Sequence, residues 1–179
     1  MTMRTGSIAA AVVAGALLVG ALASIGSARP GKNKAKSNRM SSYVEVPSIS
    51  APNARGSIEV RIGHSSSLSY RLTYSGLSGA AAQAHIHFAQ SGVNGGIAAF
   101  LCGGGGKPAC PGASGSVNGT IAAGDIDPAG QATAQGLLVN EMSELISALR
   151  AGAVYANVHT AAFPSGELRG QVKARSGDD

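Results

Sequence analysis

An antiparallel all-β sandwich forming one domain, with one short helix in its C-terminal third, is the fold predicted by this 179-residue sequence. Three observations lead there. Apolar and polar residues alternate over several short stretches, which is the period of a half-buried strand. Breaks rich in Gly, Pro, Asn and Ser separate them at the spacing of sandwich turns. Only one segment, Glu141 to Ala151, carries its apolar residues at helical spacing.

Taken in order, the strand signals begin with a weak one at Tyr43–Val46. Ser57–Ile62 follows, with Ile58, Val60 and Ile62 on one face. Leu68, Tyr70, Leu72 and Tyr74 alternate with Ser69, Arg71 and Thr73. Gln83–Ala89 sets Ala84, Ile86 and Phe88 against His85, His87 and Ala89. Ile97–Leu101, Ser116–Ala122, Val154–His159 and Glu167–Ala174 complete the set. In the helical segment Met142, Leu145, Ile146 and Leu149 share a face, Asn140 is the expected N-cap and Gly152 the expected stop. This helix should cross one end of the sandwich. The stretch 103–119 is nearly low-complexity and reads as a long surface loop, and Gly92–Gly96 reads as a turn.

The ends of the chain have a different character. Residues 8–25 form an unbroken run of apolar and small residues behind Arg4, with small residues at Ala23 and Ala28 where a peptidase can cut. Residues 1–28 therefore read as a secretory signal peptide, with an uncleaved membrane anchor as the alternative. The expected destination is outside the cytoplasm: secreted, periplasmic or in the cell envelope. Residues 29–40 read as a basic, disordered linker, residues 41–175 as the folded domain and residues 176–179 as a tail. The formal charge of +5 sits in that linker, because from Met40 onward eight Lys and Arg face nine Asp and Glu. Arg29, Lys32, Lys34, Lys36 and Arg39 offer contact with an anionic surface, or serve only as a solvated spacer. With no Trp and few aromatics, specific nucleic-acid binding is not expected. The partner is read as an unknown extracellular protein or polymer.

Cys102 and Cys110 bracket four consecutive glycines followed by Lys107-Pro108-Ala109. In an exported protein such near neighbours pair, and a disulfide would tie down that loop. The spacing excludes a Cys-x-x-Cys redox centre.

Three of the four histidines are the candidates for chemistry. His85 and His87 lie two apart on one strand and so point the same way, as do Tyr155, Asn157 and His159 on another. If the two strands are neighbours, His159 completes a three-nitrogen cluster suited to copper or zinc, with an open position. Glu167 would add a carboxylate as ligand or as support to an imidazole. The reading placed ahead of that metal site is that Glu167 and Arg169 pair on one face and, with Asn157 and the histidines, build a structural polar network or a metal-free recognition site in a module that binds a partner and does not transform it. His64 stands apart from these segments. No nucleophile elbow, phosphate loop or calcium loop is present, so no catalytic residue is expected. Asp125 and Asp127, beside Pro128 and Gly130, read as a turn.

His85-Ile86-His87, the Gly92–Gly96 turn, and the tail from Ala151 through Asn157-Val158-His159-Thr160 to Gly166-Glu167-Leu168-Arg169-Gly170-Gln171 together resemble the chordin-type (CHRD) domain. That domain occurs in extracellular chordin and in many bacterial secreted proteins. The likeness spans roughly Ser41 to Lys173. It implies an immunoglobulin-like or superoxide-dismutase-like sandwich and an exported protein, and it implies no reaction. His-Ile-His followed by an aromatic also resembles the His-x-His strand of copper/zinc superoxide dismutases. Four histidines are too few for that dinuclear site, so at most a mononuclear one is available.

Overall fold

The computed structural model describes residues 33–63 and 67–174. The expected signal peptide, Arg29, Lys32, His64 and the tail lie outside the described residues. The rest is mostly antiparallel β. Eight strands run β1 (Lys34–Ser41), β2 (Arg55–Ile62), β3 (Leu68–Ser75), β4 (Ala81–Phe88), β5 (Gly96–Cys102), β6 (Gly115–Ile121), β7 (Val154–Thr160) and β8 (Leu168–Ala174), with one helix, α1 (Met142–Ala151). They form one sheet in the order β5-β4-β7-β8-β1-β2-β3-β6. The sheet folds over so that its end strands β5 and β6 come into contact. Two leaves result, β5-β4-β7-β8 and β1-β2-β3-β6, with the apolar core between them.

Period-two alternation builds that core. On β3, Leu68, Leu72 and Tyr74 are almost wholly buried while Ser69, Arg71 and Thr73 face outward. Ile86, Leu101, Val158 and Val172 meet them from the other leaf. The Tyr70 hydroxyl donates to the Leu101 carbonyl at 2.7 Å, linking β3 to β5. A disulfide joins Cys102 to Cys110 and closes the glycine-rich loop. Lys107 in that loop bonds Asp125 Oδ2 at 2.9 Å and the Thr120 carbonyl at 2.8 Å, which fixes the loop against the end of β6.

Three expectations need correction. Residues 34–40 are not a disordered linker: Lys34–Ser41 is a central strand, paired with β2 on one side and β8 on the other. Pairing on both sides takes up much of its backbone, and among the described side chains it buries only Ala35, Ser37 and Met40. A bulge between Ser37 and Met40 shifts the register, so no simple alternation is visible in the sequence. Tyr43–Val46 is not a strand. Ser42–Val44 forms a 3-10 turn in which the Ser42 hydroxyl bridges to the backbone of Ala51, leaving Tyr43 and Val44 exposed. The third concerns the helix start. Asn140 is not the N-cap; it lies in the left-handed region at φ 65° and Glu141 takes the cap position.

The helix otherwise follows its pattern. Met142, Leu145, Ile146 and Leu149 are buried in the core, and α1 packs against β8. It stops at Gly152, whose φ of 71° suits a residue without Cβ and whose N–H reaches the Ala148 and Leu149 carbonyls.

Candidate functional site

β4 and β7 are neighbours, with His85 opposite Asn157 and His87 opposite Tyr155. Ala84 and Ile86 turn into the core, and the intervening His85 and His87 project from the outer face of the sheet. Yet His85 and His87 are buried there, as are Tyr155, Asn157 and Arg169. The cover is supplied by the β4–β5 connection, the turn after β7 and Phe100, whose ring meets the His85 imidazole edge-on at 4.6 Å.

Arg169 holds the first of these in place. Its guanidinium donates to the Val93 carbonyl at 2.6 Å and to Asn94 Oδ1 at 3.0 Å, while its carbon lies 3.5 Å from the centre of the Tyr155 ring. The Tyr155 ring in turn stacks on His87, centroids 4.7 Å apart and planes within 2°. Asn94 Nδ2 donates to the Val46 carbonyl, so the cover is tied at a second point. Gly95 permits the close fit: a Cβ there would overlap the Phe88 carbonyl.

Each imidazole has one nitrogen against a carbonyl oxygen. His87 Nδ1 is 2.9 Å from the Gly95 carbonyl, His159 Nδ1 is 2.9 Å from the Pro164 carbonyl, and His85 Nε2 is 3.1 Å from Gln83 Oε1. The Gln83 amide is oriented by its Nε2, which donates to the Gly103 carbonyl. A neutral imidazole has one N–H, and a carbonyl requires it. The remaining nitrogens, His85 Nδ1, His87 Nε2 and His159 Nε2, then carry lone pairs. One ring nitrogen from each of the three histidines lies within 4.8 Å of the others. His85 Nδ1 and His159 Nε2 are only 3.1 Å apart. Asn157 Oδ1 lies 2.9 Å from both His87 Nε2 and His159 Nε2; because these nitrogens have no proton to give it, the amide is assigned the turned-over orientation, in which its NH2 takes the place of the oxygen and donates to them.

Burial keeps these rings uncharged. Desolvation pushes His85 down to about 3, helped by the neighbouring His159 and His87. It pushes His87 down to about 4 against the opposing hydrogen bonds from Gly95 and Asn157. His159 is lowered too, again chiefly by burial.

The other residues expected at the site divide. Asn157 and Arg169 belong to it. Glu167 does not: it precedes β8, and its carboxylate accepts from the Ser78 N–H at 2.7 Å, the Ser78 hydroxyl at 2.7 Å and the Thr160 hydroxyl at 2.6 Å. There is thus no bond from Glu167 to a histidine or to Arg169 among the described contacts. Gln83, Gly95 and Pro164 were not expected here. Gln83 was readable, because it shares the alternating face with His85 and His87; Gly95 and Pro164 act through backbone carbonyls, which leave no mark on sequence.

The model of the CHRD domain matches residues 37–172. The chain belongs to the CHRD domain family. That match covers β2 to β7 entirely and takes in most of β1 and β8, including every residue of the histidine cluster. No curated protein and no solved structure gives a significant match. The family membership fixes a β-sandwich module of unassigned activity, and the chemistry must be argued from the cluster itself.

Proposed function

We propose that this CHRD domain is an exported binding module that holds one zinc or copper ion on His85, His87 and His159. The observation that carries the reading is that each imidazole sets one nitrogen against a carbonyl oxygen, from which the proton positions are assigned. Three backbone or amide carbonyls take the three imidazole protons, and the lone pairs left over face one another. Metal-bound histidines characteristically donate their second nitrogen to such an acceptor, which sets the tautomer and the ring orientation. Tetrahedral Zn–N bonds of about 2.0–2.1 Å place ligand nitrogens roughly 3.4 Å apart, close to the 3.1 Å between His85 Nδ1 and His159 Nε2. His87 Nε2 would need to close in by a side-chain shift.

Three neutral nitrogens leave the ion its charge and an open position, so a bound metal would supply Lewis-acid or redox chemistry to a ligand arriving beside His159, the least buried of the three. This chain's own contribution is to keep the imidazoles uncharged, orient them and exclude bulk water. Export is supported by the Cys102–Cys110 disulfide and by the apolar run at 8–25.

Protein prepared without an affinity tag, incubated with zinc or copper and then desalted, should retain about one equivalent. The His85→Ala/His87→Ala double variant should retain none. The competing arrangement has no metal: the Gln83 amide turns over, gives up its bond to Gly103 and leaves the proton on His85 Nδ1. Nitrogen-15 shifts of the imidazoles distinguish the two, and a protonated Nδ1 on His85 without metal retention would sink the proposal.

A further inference from the structure

The central position of β1 brings together charges that look scattered in the sequence. Register pairs put Lys34 beside Arg61, Lys36 beside Glu59, Glu59 beside Arg71, and Arg55 beside Ser75. Cross-strand partners share a face, so Lys34, Lys36, Arg55, Arg61 and Arg71 all stand on the outer side of the β1-β2-β3-β6 leaf. Arg39 joins them at the β1 bulge, where it lines an open cleft of about 350 Å³ with Arg55, Ser57, Thr73 and Ser75. On the β8 side, Lys173 is the register partner of Lys36. Against these cations the face carries one carboxylate among the described residues, Glu59, held by Lys34 at 3.2 Å and Arg61 at 2.7 Å. A domain that is nearly neutral from Met40 onward is therefore strongly polarised.

We infer that this face binds a linear anionic polysaccharide, one carrying carboxylate or sulfate groups along its length. The inference is independent of the metal reading, because the two sites use different strands and opposite leaves. Three features favour this partner. Rows of cations lie about 4.8 Å apart across strands and about 7 Å apart along them, so an extended polymer meets several at once. Between the cations stand Ser69, Thr73, Ser116, Asn118 and Thr120, all exposed and able to bond sugar hydroxyls. Arginine forks match planar carboxylates and sulfates bidentately.

The same face lacks what other polyanions need. Single-stranded nucleic acid binds by stacking on aromatic side chains, and peripheral membrane binding needs apolar groups to insert. Tyr70 and Tyr74 point into the core, and the exposed large apolar residues among those described, Tyr43, Val44, Val93, Leu138 and Val139, lie in connections and not on these strands.

The test is affinity of the full chain for dextran sulfate, with neutral dextran, a thymidine 20-mer and phosphatidylcholine–phosphatidylglycerol vesicles as parallel arms. Binding to dextran sulfate is expected, weakening steeply as salt rises through counterion release. Arg55→Glu and Arg71→Glu together should weaken it at least tenfold and each alone severalfold, whereas Arg150→Glu on α1, the same charge change as either single variant, should weaken it less than twofold. Melting curves check that the variants fold, and Arg55→Gln/Arg71→Gln replaces the reversal if it does not. An undiminished affinity in the double variant overturns the inference. So does tighter binding of the oligonucleotide or the vesicles, or equal binding of neutral dextran.

Discussion

Replacing Glu167 by Gln and by Ala separates a structural clamp from a metal ligand. The carboxylate is fully buried and accepts from the Ser78 N–H, the Ser78 hydroxyl and the Thr160 hydroxyl, tying the β3–β4 connection to the end of β7. Hydrogen bonds to a charged group contribute roughly 1.5–3 kcal/mol each. In Glu167→Gln the remaining oxygen still accepts the Ser78 N–H, and the new NH2 donates to hydroxyls that can turn to accept it. Only the charge assistance is lost, about 1–2 kcal/mol. In Glu167→Ala the Ser78 N–H has no acceptor and the two hydroxyls fall back on each other across 3.2 Å. That loss should total about 3–5 kcal/mol. At about 2–4 °C per kcal/mol for a domain of this size, Tm falls by roughly 2–8 °C for Gln and by roughly 6–20 °C for Ala. Calorimetric melting of metal-free protein reads the first effect and a zinc titration at 20 °C the second. Zinc stoichiometry and affinity should be unchanged in Glu167→Gln. An unchanged Tm with affinity lost tenfold would refute the reasoning and return Glu167 to the metal.

Gly95→Ala drives the cover off the Phe88 carbonyl and moves the acceptor from His87 Nδ1, so metal affinity should fall about 10–100-fold, as for other outer partners of ligating histidines. Arg169→Lys loses the fork to Val93 and Asn94 and the stack on Tyr155; amide exchange at residues 90–95 should speed up, and unchanged exchange would show the cover is held otherwise. Glu45 is pushed up to about 7 by burial, against the pull of Arg169, and its Oε1 has no hydrogen-bond partner. Its folded pKa lies above the ordinary 4.5, so the folded state binds more protons between those values and this group makes stability fall as pH rises from about 4.5 to 7. Thermal melts of Glu45→Gln against the parent should show the variant's relative stability rising across that window, and a parallel pair of profiles would contradict it. Cys102→Ala/Cys110→Ala opens a short loop and should cost about 2–3 kcal/mol in urea unfolding under non-reducing conditions.

What the sequence made legible was whatever depends on local periodicity. Seven of the strands, the helix and the shared direction of His85 with His87 follow from alternation or from helical spacing, and the disulfide from the proximity of its cysteines and the expectation of export. The meeting of His159 with the first pair depended on which strands are neighbours, and only the sheet order settles that. β1 escaped because its core contribution is small, Ala35, Ser37 and Met40, and a bulge breaks the parity between the last two. Its lysines made the composition look solvated, although on a paired strand they need only point outward. Glu167 misled for the opposite reason. The rule that residues two apart share a face holds inside a strand, and β8 starts at Leu168, so the rule does not reach back to Glu167.

The two faces of this sandwich show why composition is a poor guide to where its function lies. A sheet's outer face is ordinarily wet, and three histidines there would titrate near pH 6.5. Here the cover lowers all three, so the protein has spent loop length and an arginine to dry one patch of exterior surface. A buried polar layer is unfavourable unless its hydrogen bonds are complete. In this one the Gly95 and Pro164 carbonyls fix the protons of His87 and His159, and the orientation of Gln83 decides whether His85 Nδ1 donates to His159 Nε2 or faces it lone pair to lone pair across 3.1 Å. A purely structural network takes the first arrangement, at the cost of the 3.3 Å bond from Gln83 to the Gly103 carbonyl. A metal-holding layer takes the second, keeps that bond, and places the gap beside the least buried histidine, so the state of the Gln83 amide is the point on which the two readings divide.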